Sequence, residues 1–153
     1  MAILKTPAEI EIMAEGGRRL ARILEKLSSM VKMGIQTKVL DEASYQLIKD
    51  FGSEPAFLGY RPNGSKSAYP AALCVSVNET VVHGRPGDYT LKDGDVVKLD
   101  LGLKYQGFYV DSAITVGVGR LSNLALKLIA VTKKSLELAI NTVRTGRTLG
   151  DLG

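Results

Sequence analysis

The stretch Val96-Val-Lys-Leu-Asp-Leu-Gly-Leu-Lys104, Tyr105-Gln106, Gly107-Phe-Tyr-Val-Asp-Ser-Ala-Ile-Thr-Val-Gly-Val118 decides the fold. In its first run Val97, Leu99, Leu101 and Leu103 take one side of an extended chain, and Lys98, Asp100, Gly102 and Lys104 take the other. Alternation of this length specifies a strand with one buried face, and a second extended run following at once specifies an antiparallel hairpin. With Tyr105-Gln106 as a two-residue turn, Lys104 faces Gly107, and Asp100 lies directly across from Asp111 on one face. Cross-strand partners have Cβ atoms about 4.5–5.5 Å apart, where like charges repel. Aspartate is also a poor strand residue. A cation between the two carboxylates removes the conflict, and their separation suits a pair of divalent ions about 3.5–4 Å apart. The plainer reading of the same pattern is a half-exposed hairpin with a polar outer face. A three-residue turn, moreover, shifts the register by one and splits the aspartates between faces. Spacing alone leaves both readings open and favours the plainer one.

Working outward, Lys92-Asp-Gly-Asp95 is a turn cluster that launches the first strand. Upstream, residues 54 to 60 and 73 to 77 read as further strands, separated by the polar loop Arg61-Pro-Asn-Gly-Ser-Lys-Ser67. Thr6-Pro7-Ala8-Glu9 is a capping box that opens a helix over about 7 to 30. Its apolar stripe is Ile10, Met13, Ala14, Gly17, Leu20, Ala21, Leu24 and Leu27. A second helix runs from a Thr37 cap to about Phe51, burying Leu40, Ala43, Leu47, Ile48 and Phe51, with Gly52 as the stop. A last helix covers roughly 122 to 143, and Thr148 or Asp151 would cap another beyond it. The expected class is α+β, in a single domain over residues 1–153 that reads as cut short.

A chain of 153 residues with 45% hydrophobic and 24% charged content can bury a core of its own. No run approaches the roughly 20 apolar residues of a membrane span, and the first residues lack a secretory apolar region. One cysteine, Cys74, excludes an internal disulfide and suits a reducing compartment, so the cytoplasm is the expected location. The net charge of +4 comes without a dense basic tract, so nucleic acid is not indicated as a partner. His83 is the only histidine, which excludes any site built within this chain from two imidazoles.

Other residues with chemistry to offer are fewer. His83, in Val81-Val-His83-Gly-Arg-Pro86, reads most simply as a packed or surface residue, although an uncharged imidazole can donate to a carbonyl or a developing oxyanion. Cys74 reads as a small buried hydrophobe, with no cationic neighbour in sequence to activate it. Phe57, Tyr60 and Tyr69 line either an apolar pocket or the core, and pattern does not separate the two.

Taken together and in order, Lys5-Thr-Pro, Phe57-Leu-Gly-Tyr60, Cys74-Val-Ser-Val-Asn78-Glu, Val81-Val-His83-Gly-Arg-Pro86, Leu91-Lys-Asp-Gly-Asp95 and Gly107-Phe-Tyr-Val-Asp111 resemble the type I (bacterial class) methionine aminopeptidases. These are pita-bread metallopeptidases of the creatinase/aminopeptidase fold. The resemblance covers essentially the whole chain. It implies the N-terminal half of that fold, an antiparallel sheet covered by helices. It further implies two divalent ions (Co, Mn, Fe or Zn), with Asp100 chelating one and Asp111 bridging both. By the same resemblance His83 contacts substrate and supports the tetrahedral intermediate, while Tyr60, Tyr69, Cys74 and Phe57 line the methionine side-chain pocket. The implied activity is removal of initiator methionine from nascent chains, in the cytoplasm and near the ribosome, by attack of a metal-activated water on the first peptide bond.

Two features depart from the family's pattern. The remaining ligands of the resembled family, one histidine and two glutamates, lie in a C-terminal half that this sequence lacks. This chain alone is therefore expected to be inactive. The loop 61–69 is longer than usual, and Arg61 stands where many relatives carry histidine. Two alternatives stay open. One is a non-catalytic pita-bread module binding peptide, histone or nucleic acid. The other is the proline-specific aminopeptidase P and prolidase branch, which Asp100-Leu-Gly102 and Tyr105-Gln-Gly-Phe108 also resemble.

Overall fold

A computed structural model describes residues 4–152. In chain order it contains α1 (Pro7–Met30), α2 (Thr37–Asp50), β1 (Glu54–Pro55), β2 (Leu73–Val77), β3 (Val96–Tyr105), β4 (Phe108–Gly117), α3 (Asn123–Thr142) and a 3-10 turn at Leu149–Asp151. The expected α+β class is observed. The chain divides into two compact units, Met1–Arg120 and Leu121–Gly153.

In the first unit β3 is the central strand. It pairs antiparallel with β2 and β1 along one edge and with β4 along the other. Its alternation does what the sequence requires: Val97, Leu99, Leu101 and Leu103 are fully buried, in a core with Leu20, Ile23, Leu24 and Leu27 of α1 and Leu40 and Ile48 of α2. The opposite face of β3 is thereby left for other uses. Thr6 caps α1 as expected, its Oγ1 accepting from the Glu9 N–H while the Glu9 carboxylate accepts from the Thr6 N–H.

Several expectations require correction. The buried stripe of α1 is Gly16, Leu20, Ile23, Leu24 and Leu27, whereas Ile10, Ala14 and Ala21 are exposed. The stripe is rotated because Gly16 admits β4: a Cβ at that position would meet the Val110 side chain at 3.4 Å. Thr37 is not the N-cap of α2; Gln36 is, without a side-chain bond. The Thr37 hydroxyl instead exchanges bonds with Gly87, donating to its carbonyl at 3.0 Å and accepting from its N–H at 2.9 Å. The first N–H groups of α2 donate to the Tyr89 and Gly87 carbonyls, so a loop satisfies the helix end that a cap would have served.

The strand expected over 54–60 stops at Pro55. Ala56 makes one more bond, to the Gly102 carbonyl, and then Phe57–Tyr60 closes a turn through Gly59 at φ +81°. The hairpin turn is Gln106-Gly107, not Tyr105-Gln106, and Tyr105 pairs with Phe108. Both turn residues have positive φ, +46° and +87°, the left-handed pair that matches the twist of the flanking strands. Glycine takes that conformation at no steric cost, so the turn moves one residue towards Gly107. Asp100 therefore lies opposite Ala113, and Asp111 opposite Gly102. A shift of two positions in the pairing keeps both aspartates on one face, as diagonal rather than direct partners.

In the second unit Ser122 caps α3, accepting from the Ala125 N–H at 3.1 Å. No residue of α3 is buried. Thr148 caps a single 3-10 turn, with the Asp151 carboxylate accepting from the Thr148 N–H at 2.7 Å. No helix among the described residues is long and apolar enough to cross a membrane.

Candidate active site

The face of the sheet turned away from α1 and α2 carries Cys74 on β2, Asp100 and Gly102 on β3, and Asp111 on β4. Cys74 is the direct partner of Asp100, and Gly102 that of Asp111, which sets these residues side by side across the sheet. Gly102 has a specific role there. A Cβ on it would lie 2.6 Å from the Phe57 ring, so the missing side chain is what allows that ring onto the sheet beside the carboxylates. Phe57 reaches this place because β1 ends early and its turn folds over β3.

His83 is held from behind. Gly84 accepts from the Val75 N–H at 2.9 Å and donates its own N–H to Ser76 Oγ at 3.0 Å, locking the loop to the outer edge of β2. Only glycine fits, since a Cβ would lie 2.3 Å from the Val75 carbonyl oxygen. His83 itself sits at φ +57°, a conformation uncommon for a side chain of its size. Such strain persists where the surroundings fix it, and it clusters at functional positions. Downstream, the loop is pinned to α2 by the Thr37–Gly87 exchange and to the sheet by Asp95. That carboxylate is 6% exposed and accepts from Asn78 Nδ2, the Tyr89 hydroxyl and the Lys92 N–H.

These elements enclose a cavity of about 400 Å³. All seven residues singled out from the sequence line it: Phe57, Tyr60, Tyr69, Cys74, His83, Asp100 and Asp111. They do so differently. Cys74 is buried, Tyr69 and Asp100 are half-buried, and Tyr60 stands at the rim, 61% exposed. The Tyr69 hydroxyl lies 3.2 Å from the Leu73 and Gly84 carbonyl oxygens and donates to them, so the cavity sees mainly its ring. Arg85, Pro62, Ser65 and Ser67 also line the cavity and were not singled out in sequence. The polar loop and the His83-Gly-Arg-Pro86 segment were the available signals. Asp41 was missed as well. Its Oδ1 accepts from the Ala72 and Leu73 N–H groups at 2.8 and 2.9 Å, fixing the start of β2 just ahead of Cys74.

The electrostatics follow from this packing. Burial, the Asp111 charge and a hydrogen bond shared with Asp111 raise the Asp100 carboxyl above its ordinary value, with His83 opposing them. Burial pushes the Cys74 thiol up, opposed by the neighbouring Tyr69 hydroxyl and aided by the charges of Asp100, Asp111 and Asp41. A thiol so placed is a poor nucleophile and serves as apolar wall. Two mutually repelling carboxylates on one wall of a cavity are a donor set suited to hard divalent cations. Among the described residues no cluster of three or more His, Cys, Asp or Glu that could hold a metal is present.

Comparison with known proteins gives this geometry a context. The model of metallopeptidase family M24 matches residues 11–153. Methionine aminopeptidase 1 of Bacillus subtilis is 43% identical over 152 residues, which cover 99% of this chain and 59% of that protein. The crystal structure of methionine aminopeptidase from Thermotoga maritima superposes with a TM-score of 0.92 at 38% identity, over 99% of this chain and 59% of that one. Prolidase from Pyrococcus furiosus gives a TM-score of 0.83 at 20% identity and shares the fold, over 98% of this chain and 41% of that one. The α+β pita-bread fold expected from the sequence is the fold observed. The chain spans about three-fifths of the length of the curated relatives it matches.

Proposed function

We propose, for a chain that belongs to metallopeptidase family M24, that residues 1–153 are the N-terminal portion of one pita-bread peptidase domain that removes N-terminal methionine from peptides. The natural substrates would be nascent proteins with a small second residue, met in the cytoplasm and near the ribosome. One observation carries the reading: Asp100 and Asp111 share a sheet face and line a cavity with the Phe57, Tyr69 and Cys74 side chains and with His83. The curated relatives named methionine aminopeptidase support the specificity.

Asp100 and Asp111 would hold two divalent ions, together with ligands from the remainder of the protein, with Asp111 shared between them. When bound, such ions supply a water nucleophile usable near neutral pH and polarise the peptide carbonyl. The chain's own residues do the rest. Phe57, Tyr69 and Cys74 receive an unbranched apolar side chain, with Tyr60 at the mouth, and by filling the cavity that side chain excludes water. His83, fixed by Gly84, presents a ring N–H to the carbonyl oxygen and to the negative charge that develops on it. That conformation is set before substrate arrives, so little reorganisation is needed during reaction.

The test is methionine release from a Met-Ala peptide by the complete protein with added manganese or cobalt, run beside Asp111→Asn and beside an x-Pro peptide. The expected result is release by the parent protein alone, with metal content lost in the variant. Full activity and metal in Asp111→Asn would remove it as the shared ligand. Cleavage of only the x-Pro peptide would move the protein to the proline-specific branch. No methionine release is expected from residues 1–153 by themselves, because two carboxylates cannot hold both ions tightly. Cleavage by that chain would overturn the proposed division of ligands.

A further inference from the structure

Arg85 is the one arginine or lysine among the residues lining the cavity, and the reading above gives it no task. Its main chain is fixed on both sides. Gly84 is locked to Val75 and Ser76, and Pro86 restricts the residue before it, which is Arg85. Its side chain is exposed and makes no ion pair with any described residue. Arg61, the other arginine of the region, donates Nε–H to the Ser65 carbonyl at 2.9 Å and is held within its own loop. A guanidinium with a fixed base and a free head is poised for a planar anion.

The position identifies which part of a substrate could supply that anion. On the reading above, the methionine side chain takes the apolar wall and the scissile bond lies at Asp100, Asp111 and His83. The chain beyond that bond would then pass Arg85, which lines the same cavity two residues from His83. The geometry points to Arg85 as a specificity-determining residue that binds a carboxylate on the peptide downstream of the cleaved bond. This rests on the aminopeptidase reading for its direction along the substrate. Burial pushes the Tyr69 hydroxyl up, and the Arg85 charge is the one effect opposing that rise, so its field reaches the cavity wall. The carboxylate can belong to an acidic side chain, at the third residue for example, or to the free C-terminus of a short peptide.

Both sources are separable with synthetic peptides and the complete protein. In the first arm Met-Ala-Asp-Ser amide is compared with Met-Ala-Asn-Ser amide; in the second, Met-Ala-Ser free acid with Met-Ala-Ser amide. Each pair is measured by kcat/KM with metal and by calorimetric Kd without it. The expected preference is about threefold for the carboxylate in at least one arm, the size for a partly screened ion pair, and it shrinks as salt rises. Arg85→Ala brings the ratio to one, and Arg85→Lys keeps part of it. Equal values in both arms, a ratio that survives Arg85→Ala, or no binding of any peptide overturns the inference. An N-acetylated Met-Ala-Asp-Ser amide that binds as well as the free amine, or an absence of methionine release, defeats the aminopeptidase reading instead. The Kd ratio still decides Arg85 in that case.

Discussion

The two faces of β3 obey opposite rules. One holds Val97, Leu99, Leu101 and Leu103, all fully buried under α1 and α2. The other holds Asp100 and Gly102, with Cys74 and Asp111 alongside, and borders a cavity. Side chains on the first face gain from leaving water, and each makes its neighbours' burial more complete. On the second, burial and the nearby Asp111 charge raise the Asp100 carboxyl, and a glycine gives up its side chain to seat an aromatic ring. A single strand thus separates the part that stabilises from the part that is poised, and the price of the site is charged to the core beneath it.

The largest effect should come from the covered face. Leu101→Ala is expected to cost about 2–5 kcal/mol, because a fully buried leucine at the sheet centre leaves a cavity that the helices close only in part. Urea unfolding of the metal-free chain measures it. A cost below about 1 kcal/mol would mean that the core face collapses freely and that the contrast between faces is weaker than the burial implies.

Next is Gly102→Ala, on the open face. The added Cβ meets the Phe57 ring at 2.6 Å and the Ala56 Cβ at 3.2 Å, so the turn over β3 must lift. The expected cost is about 1–3 kcal/mol, the range for overpacking, with binding of a Met-Ala peptide weakened in addition. A variant that is destabilised yet binds the peptide normally would show that Phe57 serves the fold and not the cavity.

What the sequence reveals follows the same division. Alternation exposed both faces of β3, since period two is a local property of the chain. The capping box at Thr6 and the Ser122 start of α3 were equally local. The register of the hairpin was not, because it turned on which two residues adopt positive φ. Gly107 held the clue, yet hydrophobic pattern gives glycine no weight. Gly16 misled the reading of α1 for that reason too: its value lies in the neighbour it admits. Asp41 and Arg85 were hidden because their partners, the start of β2 and the cavity, lie across the fold. Asp100, Asp111 and His83 were singled out through motifs in order, and geometry alone had favoured an ordinary polar face.

A smaller effect belongs to Asp95, which joins the covered face to the loop of the open one. Burial pushes this carboxyl up, but bonds from Asn78, the Lys92 N–H and Tyr89, with the Lys92 charge, outweigh it and leave it below its ordinary value. A lowered folded value means stability that is present above the ordinary carboxylate range and lost as pH falls through the lowered one. Asp95→Asn should therefore cost about 1–2 kcal/mol at neutral pH and flatten the acid limb of the stability profile. An unchanged acid limb would assign that pH dependence to other carboxylates.

The smallest effect carries the opposite sign, and it is the sharpest test of the contrast. Asp100 has a raised carboxyl, so its charged form is disfavoured in the fold. Its cost is present at pH above the raised value and is relieved as acid protonates it. Asp100→Asn in the metal-free chain should thus gain stability at neutral pH, by about 0.3–1 kcal/mol, a small figure because Asp111 is exposed and water screens the pair. The gain should vanish in mild acid, where the parent protein no longer carries the second charge. It should also reverse when a divalent ion that needs both carboxylates is added, since binding to the native state stabilises the parent chain and not the variant. If Asp100→Asn loses stability without metal, the two aspartates are a satisfied polar pair, and the open face is as settled as the covered one.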